Sequence, residues 1–182
     1  MGRMWTLVLG TATPYLSLGL FRGGAGVGRG KRVERRHEEV LFGLLEEVLR
    51  EVGAGREEIG ALVLGEGPGS YTGLRIALAA GLGLAQALGA RVFGASSLLA
   101  ACWPYLKEGE PLTPLFTARN GLFYGATYTL EGGRPKEVAP PRKLKATELP
   151  REGRLLLDAP PDPRALYELL PFAHEGVEPL YL

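Results

Sequence analysis

Runs of apolar residues predict that strands and helices alternate along the chain. Residues 4–10 and 59–65 are almost wholly apolar, which is typical of buried strands. Residues 35–52 carry apolar side chains at steps of one, three and four, which indicates a helix, and glycines follow it. Further strands are predicted at residues 15–21, 22–32 and 91–94, and further helices at residues 72–88 and 96–106. Three successive strands followed by helix-linked strands predict a mixed sheet with helices packed on it.

The pattern changes near Gly109, where a second part of the chain begins. Residues 112–117 and 122–130 predict a hairpin with Asn120 and Gly121 at its turn. A loop or edge strand at residues 131–152, a strand at 154–157 and a short helix at 163–170 are predicted to follow. We therefore expect two subdomains, residues 1–106 and residues 107–182, the second an abbreviated relative of the first without a visible sequence repeat. Ribonuclease-H-like and actin-like folds are built in this way.

Composition narrows the class of protein. The 182 residues are 46% hydrophobic and 23% charged, as in ordinary globular domains. The formal net charge is only +1, whereas a free-standing nucleic-acid-binding domain usually carries a stronger basic excess. The single cysteine, Cys102, excludes an internal disulfide and indicates either a reducing, cytoplasmic setting or simply an unused thiol. No apolar run approaches about 20 residues, the length of a membrane span, so we expect no membrane association.

The most informative motif is a glycine-rich loop between the strand at residues 59–65 and the next helix. Its distinctive residues are Gly67, Pro68, Gly69, Ser70, Tyr71, Thr72, Gly73 and Arg75. Such a loop can direct backbone N–H groups at an anion, although this one has neither a P-loop lysine nor the spacing of a dinucleotide fingerprint. The alternative is a tight strand-to-helix turn capped by Ser70 or Thr72. The sequence leaves both interpretations open.

The predicted helices at residues 35–52 and 72–88 have wide apolar faces. Between residues 73 and 88 only Arg75 and Gln86 are polar, so this helix needs cover on every side. The apolar positions of the earlier helix span roughly 180°, whereas one buried face needs about 100°. Either the two helices cover each other, or they bind a partner, and in that case we expect Gly81→Arg or Ala77→Arg to break association without unfolding. The residues expected at a partner interface are Leu41, Leu45, Ala77, Ala80, Gly81 and Leu84.

Several segments resemble one protein family. Residues 67–76 have the sequence GPGSYTGLRI, and residues 92–98 have the sequence VFGASSL. This combination resembles the bacterial TsaB (YeaZ) family, whose pattern is G-P-G-S-F/Y-T-G-x-R-I followed by V-x-G-x-S-S-L. Arg36, His37 and Glu39 are similar to the family's R-H-S-E, Arg119 with Phe123 and Tyr124 to its D-A-R-x-x-x-x-Y, and residues 178–182 to its closing E-P-x-Y-L. The resemblance therefore extends from the first strand to the last residue.

The resemblance implies an actin-like fold of the ASKHA superfamily and a non-catalytic role. Members of the family pair with TsaD, a related catalytic subunit, and with the ATPase TsaE. Together these proteins attach threonylcarbamoyl to the adenosine beside the anticodon of tRNA. Pairing uses the two N-terminal helices of each protein, and the same surface forms homodimers when TsaD is absent. The resemblance thus implies a cytoplasmic scaffold that contacts tRNA at most indirectly and has no catalytic residue, metal or cofactor of its own.

The sequence departs from the family pattern in three places. Gly10 ends the first strand where the family has Asp, Thr117 stands where the D-A-R segment begins, and the second half is short. In active members of the superfamily the acid after the first strand helps to place a metal–phosphate group. Its absence argues against phosphoryl transfer by this chain.

Other hypotheses remain open beside the scaffold. A nucleotide-dependent enzyme that uses residues 65–75 needs a metal-binding carboxylate there, and Glu66 is the nearby candidate in the sequence. A metallopeptidase needs clustered His ligands, whereas His37 and His174 are far apart in sequence. No serine or cysteine has a matched acid–base pair in the sequence. Basic clusters at residues 29–36 and 142–145 leave direct RNA contact open.

Overall fold

The computed structural model describes residues 4–182, which form ten strands and four α-helices. The strands are β1 (Trp5–Gly10), β2 (Tyr15–Arg22), β3 (Ala25–Arg32), β4 (Ile59–Gly65), β5 (Arg91–Ala95), β6 (Leu112–Thr117), β7 (Leu122–Glu131), β8 (Arg134–Lys145), β9 (Arg154–Leu157) and β10 (His174–Glu175). The helices are α1 (His37–Val52), α2 (Tyr71–Leu88), α3 (Ser97–Cys102) and α4 (Pro163–Glu168). The predicted order of the first eight of these strands and helices is confirmed, with small shifts at most boundaries.

The first sheet has the strand order β10-β5-β4-β1-β2-β3. β1, β2 and β3 form an antiparallel meander, whereas β1, β4 and β5 run parallel to one another. Helices cover both faces of this sheet, which explains why β1 and β4 are almost continuously apolar. β3 is an exposed edge strand, and its basic residues and glycines are typical of an edge protected against pairing.

The helices divide the core into layers on the two sides of the first sheet. α1 and α2 contact each other on one face, where Leu45 and Leu74 pack with Leu7 in the main core. On the other face α4 packs against the same strands, and Leu166 joins a smaller cluster with Val8. Successive residues of β1 therefore contribute to cores on opposite faces, as the alternation of a strand requires.

Local sequence signals place the ends of the two long helices. Ser70 precedes α2, and its Oγ accepts a hydrogen bond from the N–H of Gly73 at 3.5 Å. Of the two caps predicted from the sequence, Ser70 is therefore the one used. Gly53 and Gly89 follow α1 and α2 in the left-handed conformation, with φ of 71° and 64°, which allows their N–H groups to close the last turn.

The second sheet repeats the topology of the first. Its order is β8-β7-β6-β9, in which β6, β7 and β8 form an antiparallel meander and β9 runs parallel to β6. This is the order and sense of β3-β2-β1-β4 in the first sheet. Where the first sheet has α1 as a crossover, the second has a single turn at Ala146–Glu148. The second half is thus a shortened copy of the first, recognisable in its strand pairing rather than in its residues.

Two predicted segments differ in the structure. The helix predicted at residues 96–106 ends at Cys102, because Pro104 has no N–H to continue it, and a single 3₁₀ turn follows at Trp103–Tyr105. The segment 131–152, predicted as a loop or an edge, contains the 12-residue strand β8 at the edge of the second sheet. Its prolines are tolerated because an edge strand leaves one side without ladder hydrogen bonds.

The chain returns to the first sheet after β9. α4 packs against β1, β2, β3 and β4, and β10 pairs with β5. The expected division between residues 106 and 107 therefore separates the two sheets only as far as Leu157. The residues that follow, expected in the second subdomain, cover one face of the first sheet, which would otherwise expose Val8, Phe21 and Val63.

Candidate functional site

α1 and α2 contact each other, and each leaves exposed the side that faces away from the sheet. On α1 it includes Phe42 and Gly43, and on α2 it includes Ala79, Leu82 and Gly83. Phe42 and Leu82 are 36% and 44% exposed, although both are large and apolar. We call these five residues the helix surface. Large apolar side chains beside small residues are the composition on which another protein can pack closely.

Two glycines in the helix surface pack against no other element of the described residues. A Cβ at Gly43 or at Gly83 would meet no other atom of residues 4–182 within 4 Å. A glycine inside a helix costs about 0.5–1 kcal/mol relative to alanine, so such a position needs a compensating benefit. Gly81 has one, because a Cβ there would lie 2.7 Å from Leu64 Cδ2. Gly43 and Gly83 are instead positions at which the backbone of another molecule can approach closely.

The structure revises the residues expected at a partner interface. Four of the six are buried in this chain's own core: Leu41, Leu45, Ala77 and Gly81. The remaining two, Ala80 and Leu84, are partly exposed. Apolar residues cover α2 on every side, so the sequence does not indicate which side meets the sheet. Gly81→Arg and Ala77→Arg are therefore expected to unfold the domain, in contrast to the result expected from the sequence.

The glycine-rich loop is closed by contacts within the chain. The Gly67 N–H donates to Ser97 Oγ at 3.0 Å, and the Ser97 N–H donates back to the Gly67 carbonyl at 3.0 Å. The Ser70 N–H donates to the Ala12 carbonyl at 3.4 Å, and a Cβ at Gly69 would lie 2.5 Å from that same oxygen. Because these N–H groups are bonded inside the protein, the geometry favours the tight turn over the anion-binding loop.

The other residues of the loop tie it to α2 or lie at its surface. Thr11 Oγ1 donates to the Gly73 carbonyl at 2.9 Å, which joins the turn after β1 to the first turn of α2. Tyr71 is exposed, and the guanidinium of Arg75 lies 5.2 Å from the centre of its ring. Of the other motif residues, Thr72 is exposed and Pro68 is buried. The exposed part of the motif therefore lies at the start of α2 and consists of Ser70, Tyr71, Thr72 and Arg75.

Glu66 is held by groups from the end of the chain. Its Oε1 lies 2.6 Å from His174 Nε2, and its Oε2 accepts the Glu178 N–H at 2.8 Å. The hydrogen bond from Glu66 raises the pKa of His174. Glu66 and His174 are 108 positions apart, and no local pattern connects them, so the sequence does not predict this pair. A carboxylate used in this way is unavailable to the metal–nucleotide group that the alternative enzyme hypothesis requires.

Two departures from the family pattern remove free acids from the ends of β1 and β6. A side chain at Gly10 would meet Leu166 Cδ1 and Pro161 Cβ, each at 3.3 Å, so apolar groups fill the place of the family's Asp. At Thr117 the backbone N–H and the hydroxyl donate to the two oxygens of Asp158, at 2.7 and 2.6 Å. Both positions therefore contribute to packing and local bonding.

A cleft of about 520 Å³ lies beside Glu66 and His174, and residues of both sheets line it. Ser96 and Tyr128 line it as well, with their hydroxyl oxygens 3.2 Å apart. Ser96 Oγ also accepts the Leu99 N–H at 3.2 Å, and burial raises the pKa of Tyr128, which keeps its phenol protonated. These polar groups are bonded to one another or to the backbone, so the cleft does not present them as an activated nucleophile and base.

Cys102 is wholly buried, and burial raises the pKa of its thiol to about 12. Because the thiolate is the reactive form, we expect no labelling of the folded chain by a thiol reagent at about pH 8. One equivalent should react after denaturation, since the chain has one cysteine. A colorimetric thiol assay with and without guanidinium chloride measures both values, and rapid labelling of the folded chain would contradict the packing described for Cys102.

Residues 4–182 contain neither a metal-binding cluster nor a membrane-spanning helix. In this part of the chain no group of three or more His, Cys, Asp or Glu side chains is arranged to hold a metal ion. The metallopeptidase hypothesis gains no support, because His174 is bonded to Glu66 and His37 begins α1 on another element. Across the same described span, no helix combines the length and the hydropathy needed to cross a membrane.

Known proteins share both the sequence and the fold. The sequence model for the family described as TsaD: tRNA N6-adenosine threonylcarbamoyltransferase matches residues 30–157. The tRNA threonylcarbamoyladenosine biosynthesis protein TsaB of Escherichia coli (strain K12) is 34% identical over 131 residues, which cover 69% of this chain and 55% of that protein. The TsaB protein of Haemophilus influenzae is 34% identical over 95 residues, 52% of this chain and 37% of that protein. The structure of YeaZ from Pseudomonas aeruginosa has a TM-score of 0.85 at 24% identity and covers 98% of this chain and 100% of that one.

The fold and these matches define the class of protein. The similarity to YeaZ confirms the predicted actin-like, ribonuclease-H-like fold of mixed sheets with helices. The chain belongs to the TsaD family that the sequence model describes, and within it to the TsaB (YeaZ) group. The matched region spans about half the length of the Escherichia coli relative.

Proposed function

We propose that the chain is a non-catalytic scaffold subunit in the biosynthesis of N6-threonylcarbamoyladenosine in tRNA. In this proposal it binds a TsaD-like catalytic subunit through the helix surface. The observation that carries the proposal is the pair of open glycines, Gly43 and Gly83, beside the exposed Phe42 and Leu82. Helices with small residues at their contact allow two backbones to approach, and the apolar side chains beside them then lose their contact with water.

The absence of free acids at the ends of β1 and β6 supports the non-catalytic part of the proposal. Gly10 leaves no space for an acid, Glu66 is bonded to His174, and Asp158 is bonded to Thr117. Phosphoryl chemistry in this fold needs a carboxylate at a metal, so the chemical step falls to the partner. No observation favours the nucleotide-dependent enzyme, which was the alternative from the sequence.

The proposed assembly has further members. A TsaE-like ATPase belongs to it on the basis of the family resemblance, and the helix surface would form a homodimer when the TsaD-like subunit is missing.

Contact with tRNA is proposed to be indirect, because three basic residues of the cluster at residues 29–36 are paired within the chain. These pairs are Arg29 with Glu51, Arg32 with Glu34, and Arg36 with Glu39. A role in tRNA modification also places the chain in the cytoplasm.

Reconstitution of tRNA modification tests this proposal. The TsaD-like and TsaE-like proteins of the same organism are incubated with unmodified tRNA and a threonylcarbamoyl donor, with and without this chain. We expect nucleoside analysis to detect the modified adenosine only when this chain and the TsaD-like protein are both present. Modification by this chain alone would contradict the non-catalytic role, and full modification without it would contradict the scaffold role.

A further inference from the structure

Residues 174–182 lie across the glycine-rich loop, and we call them the strap. The strap begins with β10, whose two residues pair with β5. It continues past Glu66, where the Glu178 N–H bonds to the carboxylate and the Leu180 N–H bonds to the carbonyl, each at 2.8 Å. It ends with the ring of Tyr181 beside the ring of Tyr71, at 5.0 Å between centroids. The scaffold role gives no purpose to this arrangement or to the glycine-rich loop beneath it.

We propose that the glycine-rich loop and Glu66 form a binding site for an extended peptide, and that the strap is its releasable occupant. The ligand class follows from the groups in contact. Glu66 accepts the N–H of Glu178 at its carboxylate and the N–H of Leu180 at its main-chain carbonyl. These residues are two positions apart, which is the spacing at which an extended chain presents N–H groups to the same side. Recognition of main-chain groups with one side chain in an adjacent contact is a common mode of peptide binding.

Two glycines shape the loop around the peptide. A Cβ at Gly67, whose φ is +99°, would lie 2.7 Å from the Leu180 carbonyl oxygen, so the strap passes directly over the bare backbone. A Cβ at Gly94 would fall 2.2 Å from Glu66 Oε2, so this glycine leaves space for the carboxylate that holds the strap. Gly67 is therefore explained by a peptide that lies on it, whereas an anion would need free N–H groups at the same place.

The strap is attached more weakly than the rest of the first sheet. None of the described residues beyond Leu169 belongs to the buried core, and Tyr181 is 47% exposed. Val177 is the strap residue that packs, partly buried, against the main core. Segments with few buried apolar contacts open at lower free energy than core strands. The strap, including β10, can thus detach while the other strands of both sheets stay folded.

His174 makes the attachment depend on pH. The hydrogen bond to Glu66 raises its pKa, so the protonated form is favoured when the strap is bound. This contribution is complete below the ordinary pKa of His and is lost as the pH rises through the raised value. The charged groups that face His174 or line its cleft are Glu66, Glu178, Arg134 and Glu137, whereas Glu175 contacts His174 through its backbone carbonyl. Protonated His174 is thus paired directly with Glu66, while the others contribute at longer range.

Amide hydrogen exchange in the full chain tests the proposal. We expect the amides of Glu178 and Leu180 to exchange faster than those of β1. The strap should open while the amides of β1 remain protected. Glu66→Gln should reduce the protection of the Glu178 amide by about tenfold or more, because its hydrogen bond to a charged acceptor is lost. The Leu180 amide, which bonds to the main-chain carbonyl of Glu66, should lose protection with it as the strap opens more often. Gly94→Ala should act in the same way by displacing the carboxylate. Protection, corrected for intrinsic rates, should also fall as the pH rises above the ordinary pKa of His and His174 loses its proton.

Glu175→Gln is the matched control. It lies in the same strap and removes an exposed ion pair with Arg91, at 3.3 Å, without touching Glu66. Its expected effect on the amides of Glu178 and Leu180 is below about twofold, as for exposed ion pairs generally. If these amides exchange only with the global unfolding of the chain, or if Glu66→Gln matches Glu175→Gln, the strap is an integral part of the fold and the proposal fails.

A synthetic peptide of residues 174–182 tests binding in trans. Added to the full chain at about millimolar concentration, which is the order of the effective concentration of a tethered segment, it should speed exchange of the strap's own amides in a saturable way. A peptide with the same residues in scrambled order should not. No difference between the two peptides would overturn the proposal. Neither result depends on whether the chain acts as a scaffold.

Discussion

Gly83→Arg is expected to weaken association with a TsaD-like partner at least about 100-fold, or about 2.8 kcal/mol, and to leave the fold intact. Gly83 lies on the outer side of α2, where a Cβ meets no other described atom within 4 Å. An arginine therefore fits the isolated chain, and it even improves helix propensity by about 0.8 kcal/mol. In the complex, the same side chain would occupy the space needed by the partner's backbone. Titration by fluorescence anisotropy, with circular dichroism on the variant, measures both effects.

Gly81→Arg is the matched control for this experiment. Gly81 is two positions away on the same helix, but its Cβ would lie 2.7 Å from Leu64, which is buried in the main core. We expect this variant to unfold or to melt well below the wild type. If Gly83→Arg binds the partner as the wild type does, the helix surface is not the binding site. If Gly81→Arg folds normally, α2 is oriented differently from the structure described.

Gly69→Ala is expected to lower the stability of the chain by about 3 kcal/mol, a large effect for one added methyl group. The new Cβ would lie 2.5 Å from the carbonyl oxygen and 2.7 Å from the Cα of Ala12. Both atoms belong to the backbone of the turn after β1, so neither can move aside as a flexible side chain would. The change also separates Ser70 from the Ala12 carbonyl that accepts its N–H. For a chain of this size the melting temperature should fall by roughly 6–12 °C.

Gly83→Ala is the comparison for Gly69→Ala. The same methyl group is added at an open helical position, where it should raise stability by up to about 1 kcal/mol. Denaturant titration of both variants gives the two values on one scale. Equal stability of Gly69→Ala and the wild type would show that the turn after β1 and the glycine-rich loop are not in close contact. The packing account of the motif would then be wrong.

The sequence predicts most strands and helices because their signals are local. Continuous apolar runs locate β1 and β4, since each is covered on both faces by helices. Asn120 and Gly121 mark the hairpin correctly, and both adopt positive φ, 60° and 70°, as a tight turn of this type requires. The order of the first eight elements, and with it the fold class, follows from such signals alone.

These local patterns do not predict features that depend on residues far apart in the sequence. α2 is apolar on every side, so its periodicity does not indicate that Ala77 and Gly81 face the sheet while Ala79 and Gly83 face outward. The sequence near the expected boundary does not indicate that α4 and β10 return to the first sheet, because this return depends on which surfaces of the sheet remain uncovered. The pairing of Glu66 with His174 joins residues that only the completed fold brings together.

The two halves of the chain differ in what they retain of a shared topology. The second sheet keeps the strand order of the first but has a single turn in place of the crossover helix. At the ends of β1 and β6, apolar contacts at Gly10 and a Thr117–Asp158 pair stand where acids would serve phosphoryl chemistry. The exposed helix surface on the complete half is therefore the feature on which the proposed scaffold role depends.

Light scattering coupled to size exclusion is the measurement that tests the scaffold role most directly. The chain is run alone and then mixed with the TsaD-like protein of the same organism, at about 10 µM of each, well above the dissociation constant expected of a specific complex. The account predicts a homodimer alone that converts into a mixed complex when the partner is added. A chain that stays monomeric and elutes separately from the TsaD-like protein would contradict it.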